Sequence, residues 1–163
     1  MSNNIVEKLI EKLIELTSVA QRRELIVFGS TAIVLNKVPR DKAPDDLDVY
    51  ASKAVLEALK ATDKFEVHRN PKGEGDGYVT ALKPKDGTKI EILDEFPSVG
   101  FTEVQATAWQ SPEYPGVLVG SIPLLLAWKR NQKRIDPVKA EQDKKDIAAM
   151  EAALLAASHN VDG

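Results

Sequence analysis

The apolar run Leu25-Ile26-Val27-Phe28 stops at Gly29-Ser30 and gives way to the helix-like Thr31-Ala32-Ile33-Val34-Leu35-Asn36; further on, Asp46-Leu47-Asp48 leads into a second apolar run. Four apolar residues ending at a glycine read as a buried strand that turns into a helix, and the second run predicts another strand with acids in it. Residues two apart in a strand face the same side, so Asp46 and Asp48 project together. Like charges held that close call for a cation between them. The Gly29-Ser30 turn, at the start of a helix, offers free backbone N–H groups and a hydroxyl where an anion can sit. A phosphate cradle facing a carboxylate pair points to a metal and nucleotide site.

The rest of the chain supplies parts around this unit. Residues 4–19 place Ile5, Leu9, Ile10, Leu13 and Leu16 on one helical face, with Asn4 and Glu7 at capping-box spacing. Pro39 and Pro44 make residues 37–45 a polar connection. Ser52 caps a helix over 52–61, and 65–68 alternates as a half-buried strand. Residues 70–77 are too polar and glycine-rich for anything but a turn; Glu74 and Asp76 would repel a phosphate there. Strands at 78–82 and 89–93 flank the hairpin turn Lys83-Pro84-Lys85-Asp86-Gly87. Glu91 and Lys89 share one face of the second strand, opposite Ile90 and Ile92. No sustained period marks 95–115, which reads as a lid, a connection or packing for the sheet. Ser121 and Pro123 start one helix, and Asp136-Pro137 starts a last one to about Ala157.

At 163 residues the chain suits one core, expected over 1–116, with a helical lobe packed on it over 117–163. A net charge of -3 argues against sequence-blind coating of nucleic acid. Lys129, Arg130, Lys133, Arg134, Lys139, Lys144 and Lys145 form either a wet helical surface, the favoured reading, or a local RNA-facing patch. The absence of cysteine excludes disulfides and thiolate metal sites, and His68 has no second ligand at metal-site spacing. Trp128 reads as core. Acids run through the apolar start of the chain, so it is no signal peptide, and residues 117–128 are too short to span a bilayer. The expectation is a cytoplasmic protein that does not enter a membrane.

Four pieces stand in order: Gly29-Ser30, Asp46-Leu47-Asp48, the third acid Glu91 in Lys89-Ile90-Glu91-Ile92-Leu93, and a helical Lys129 with Arg134 followed by Asp143-Lys144-Lys145-Asp146-Ile147. The set resembles the nucleotidyltransferase superfamily with the DNA polymerase beta fold. Within it, the chain is most similar to the small bacterial nucleotidyltransferases of the AbiEii type, toxins of toxin-antitoxin and abortive-infection systems. The resemblance spans about three quarters of the chain. The sequence departs from the pattern in a longer spacer before Asp46, in Pro44 where Ser or Thr often precedes the acids, in the extra Asp45, and in Glu91 where Asp is more frequent.

The resemblance implies an α+β fold, a mixed sheet flanked by helices with a C-terminal helical hairpin. It implies transfer of a nucleoside monophosphate from a nucleoside triphosphate (NTP) to an acceptor hydroxyl, dependent on magnesium (Mg2+) or manganese (Mn2+). Asp46, Asp48 and Glu91 would be the catalytic and metal-binding residues. Gly29, Ser30, Lys129, Asp143 and Asp146 would bind the nucleotide. By spacing, Asp143 and Asp146 share one helical face and can position Lys129 or Arg134, unless they belong to a solvated ion-pair network. The implied acceptor is RNA, such as a tRNA 3' end, or a protein hydroxyl, with an antitoxin as partner; a related subclass modifies small molecules such as aminoglycosides. The alternative is a degenerate nucleotidyltransferase fold that binds a nucleotide or a partner without turnover.

Overall fold

The computed structural model describes residues 4–71, 77–132 and 134–161. Helix α1 (Asn4–Leu16) buries Val6, Leu9, Ile10 and Leu13 and ends before the expected Val19. Ser18 and Gln21 there form a capping box that opens a separate turn, α2 (Val19–Arg22). The fully buried run β1 (Leu25–Phe28) follows. It leads directly into α3 (Gly29–Leu35), and the proline-bearing connection returns the chain to β2 (Leu47–Ala51), antiparallel to β1.

Ser52 accepts from the Val55 N–H and caps α4 (Lys53–Lys60). Next come β3 (Phe65–Pro71) and β4 (Tyr78–Pro84), then β5 (Ile90–Leu93). β3 continues through Asn70 and Pro71 into what reads in sequence as a turn, because β4 pairs with it as far as Pro71 opposite Tyr78. Residues 72–76, with Glu74 and Asp76, lie outside the described residues. The stretch without a period holds α5 (Phe101–Thr107) and β6 (Trp109–Gln110). After β7 (Leu118–Val119), α6 (Ile122–Arg130) and α7 (Pro137–Val161) close the chain. Ser121 stands at the N-cap of α6, but its hydroxyl contacts Thr107 Oγ1 rather than a backbone N–H of the helix.

The strands form one seven-stranded mixed sheet in the order β3-β4-β5-β2-β1-β7-β6. β5 runs parallel to β2 and β7 parallel to β1. Residues opposite one another share a face, so Phe28, Asp48 and Glu91 project on one side together with Tyr50. On that side Phe28 meets Trp128 of α6 at 5.2 Å and Phe96 at 4.8 Å between ring centres, and Tyr50 donates to the Val99 carbonyl at 2.6 Å. This aromatic layer is a dry floor beside the acids, and it accounts for Trp128 as core. Leu47, Val49, Ile90 and Ile92 fill the opposite face, fully buried. α6 and α7 pack against one another, while α3 rests on β1, β2 and α6. Among the described residues no helix is long and apolar enough to cross a membrane.

Candidate active site

The strand pairing assembles the acids. Asp48 lies opposite Phe28 of β1 on one side and opposite Glu91 of β5 on the other. Asp46 immediately precedes β2, and its main-chain carbonyl accepts a 2.8 Å hydrogen bond from the buried hydroxyl of Thr31 in α3. That bond fixes the start of β2 against the helix that Gly29-Ser30 begins. Gly29 has φ +67°, and a Cβ on it would lie 2.6 Å from Asp48 Oδ2. Both the left-handed conformation and the close approach of the carboxylate demand glycine here. Gly29 is itself buried and backs Asp48, while Ser30 reaches the cleft.

Burial first, and then the charges of Asp46 and Glu91, push the Asp48 carboxyl from an ordinary 3.8 up to about 7, against the pull of Lys129 and Arg134. Asp46 is also raised, chiefly by burial and then by Asp45. The Glu91 carboxylate accepts from Asn70 Nδ2 at 2.8 Å and stands 3.5 Å from Lys83 Nζ. Among the described residues no three His, Cys, Asp or Glu side chains close on a point where they alone could hold a metal ion. Asp46 and Asp48 form a two-carboxylate, all-oxygen donor set that fits a hard cation such as magnesium, which keeps waters and substrate phosphates as its other ligands. The crowding that lifts Asp48 is the feature a cation would relieve.

Facing the acids, α6 and α7 carry a buried polar network. Lys129 Nζ lies 2.7 Å from Asp143 Oδ1 and 3.2 Å from Asp146 Oδ2. Arg134 Nε donates to Asp143 Oδ2 at 3.0 Å, and Arg40 Nε donates to Asp146 Oδ1 at 2.9 Å. Burial tends to raise the Asp146 carboxyl, but Arg40, Lys129 and Gln142 together hold it below the usual value. The spacing argument thus meets a network that is buried rather than solvated, with Lys129 only 5% exposed. Of the other basic side chains, Arg130 pairs with Glu151, Lys144 with Glu141 and Lys145 with Asp41. Lys139 lines the cleft, and Lys133 lies outside the described residues.

Asp48 and Glu91 stand where three clefts meet. One, of about 390 Å³, runs from Ser30 past Asp46 and Asp48 to Lys129, Arg134 and Asp143. A second, of about 540 Å³, spreads over β3 to β5 past His68, Lys83 and Lys89. The third, of about 590 Å³, passes Asn70, Leu93, Phe96, Trp128 and Ile135. The structure therefore gathers Ser30, Asp46, Asp48, Glu91, Lys129 and Asp143 around one cleft. Asp146 braces it from behind. His68 is half-exposed and near Glu66 at 3.3 Å. Sequence reasoning missed Thr31, Arg40 and Asn70, although a polar residue directly after the Gly-Ser pair was a usable signal for Thr31.

No family model matches the sequence, and no curated protein matches it. Among solved structures the chain is similar to the Megavirus polyadenylate synthase, with a TM-score of 0.51 and 12% identity over 94% of this chain and 34% of that one. The likeness is one of fold alone, a mixed sheet flanked by helices. The chain spans about a third of that protein's length.

Proposed function

We propose that the protein is a magnesium-dependent nucleotidyltransferase that moves a nucleoside monophosphate from a nucleoside triphosphate to an acceptor hydroxyl. The observation that carries this is the side-by-side placement of Asp48 and Glu91 on parallel strands, next to Asp46, in a cleft whose far wall is Lys129 and Arg134. Carboxylates on one wall and fixed cations on the other suit a triphosphate with a divalent ion. Magnesium or manganese held by Asp46 and Asp48, with Glu91 completing the set, would supply charge neutralisation at the phosphates.

The acceptor oxygen attacks the α-phosphorus and a new O–P bond forms. The bond from that phosphorus to the bridging oxygen breaks, and pyrophosphate leaves with the electron pair. The acceptor's proton passes to Glu91, whose carboxylate borders both the nucleotide cleft and the cleft over β3 to β5. Ser30 and the backbone at Gly29 hold the β and γ phosphates, and Lys129 and Arg134, braced by Asp143 and Asp146, line the wall beside them. The resemblance to polyadenylate synthase supports an RNA end, such as a tRNA 3' end, as acceptor. A protein hydroxyl and an AbiEii-like toxin role with a cognate antitoxin fit the same chemistry. The hold of Asn70 and Lys83 on Glu91 favours a second reading, a binding protein without turnover.

Calorimetric titration of the four nucleoside triphosphates with magnesium, on wild type and on Asp46→Asn, tests the proposal. Binding that needs both magnesium and Asp46 supports it. No binding, or binding indifferent to Asp46, refutes it.

A further inference from the structure

Of the basic residues that line the cleft, Arg40, Lys42, Lys129, Arg134 and Lys139, the two held by Asp143 are differently placed. Lys129 Nζ is 5% exposed and already held by two carboxylates, at 2.7 Å and 3.2 Å. Drawing it to a phosphate would leave Asp143 and Asp146 buried with only Arg134 and Arg40 to answer them, which is unfavourable. Arg134 is different. Its side chain is 30% exposed and its Nε alone is committed, to Asp143 Oδ2 at 3.0 Å. Its two terminal nitrogens have no acceptor among the described residues. Arg134 also borders two of the three clefts that meet at Asp48. The Asp143 contact fixes the plane of the guanidinium and so prepares a fork of donors for phosphate oxygens.

We propose that Arg134 is the side chain that grips the terminal phosphates of the triphosphate, and that Lys129 is a positioning residue that neutralises Asp143 and Asp146 beneath it. This rests on the nucleotide reading of the cleft. Lys129 and Arg134 both line the cleft that holds Asp48, but of these two only Arg134 has donors to spare. Arg130, paired with Glu151 on the exposed surface, supplies a charge-matched control.

The test is calorimetric binding of inorganic tripolyphosphate with magnesium, which removes the unknown base. It compares wild type, Arg134→Ala, Arg134→Lys and Arg130→Ala, with thermal melts of each. Arg134→Ala is expected to weaken binding by at least about tenfold with little change in melting temperature. Arg134→Lys should recover part of the loss, and Arg130→Ala should match wild type. If Arg134→Ala binds like wild type, or merely melts earlier, Arg134 only braces Asp143 and the inference is overturned while the nucleotide reading stands. If wild type binds nucleoside triphosphates but not tripolyphosphate, the base carries affinity and the inference again falls. If wild type binds neither, both fall.

Discussion

Replacing Asp48 by Asn should make the protein more stable at pH 8 while removing its magnesium-dependent nucleotide binding. The Asp48 carboxyl is raised from 3.8 to about 7 by burial and by the neighbouring Asp46 and Glu91. The folded state therefore holds the proton more tightly than the unfolded chain, and stability is full below about pH 4 and is lost as pH rises through 7. A shift of about three units at ~1.4 kcal/mol each sets an upper bound of ~4 kcal/mol on the cost of ionising it. Between pH 5 and pH 8 about two of those units are traversed, so wild type should lose ~2–3 kcal/mol in urea unfolding with divalent ions chelated. Asp48→Asn should show a much flatter profile and exceed wild type at pH 8. The lowered carboxyls Asp41, Asp86 and Asp146 act below this window and leave it undisturbed. Adding magnesium at pH 8 should stabilise wild type and not the variant. A flat wild-type profile with Asp48→Asn less stable at both pH values would refute the reasoning, because it would mean that Lys129 and Arg134 already balance Asp48.

Two further substitutions separate support from chemistry. Gly29→Ala must place a methyl 2.6 Å from Asp48 Oδ2 at a φ of +67°, whereas Gly87→Ala meets the same kind of backbone, φ +86°, in open space. Chemical denaturation should show Gly87→Ala losing about 1 kcal/mol from strain alone and Gly29→Ala clearly more, ~2–3 kcal/mol; equal losses would show that Asp48 has room to move. Lys129→Met leaves Asp143 and Asp146 buried with only Arg134 and Arg40 to answer them, and should cost ~3–5 kcal/mol in urea unfolding. An unchanged midpoint would mean the network is not a structural clamp.

The acids were legible in the sequence because their placement follows from short-range rules. Period-two alternation puts Asp46 with Asp48, and the hairpin between β4 and β5 brings Glu91 onto a strand that needs only one parallel pairing to stand beside Asp48. Where an element has no apolar stripe, the same rules fail: α5 buries only Val104, so nothing in its sequence announces a helix. β3 runs past its expected end for a related reason, since Pro71 is carried by its pairing with Tyr78 on an edge strand, where a missing N–H does little harm.

The polar supports were hidden because their partners are far away in the chain. Arg40 sits in a connection that reads as solvated, and it becomes a buried partner of Asp146 only when α7 folds back over it, 106 residues later. Hydropathy scores Lys129 as a surface residue, yet two carboxylates on the far helix turn it inward, and charge patterning along one helix cannot register a partner on another. The same network joins the connection ahead of Asp46, the end of α6 and the middle of α7 through two shared carboxylates. A shift of α7 must therefore move Arg40 and Arg134 together, so the segment leading to the acids and the cation facing them are positioned as one unit.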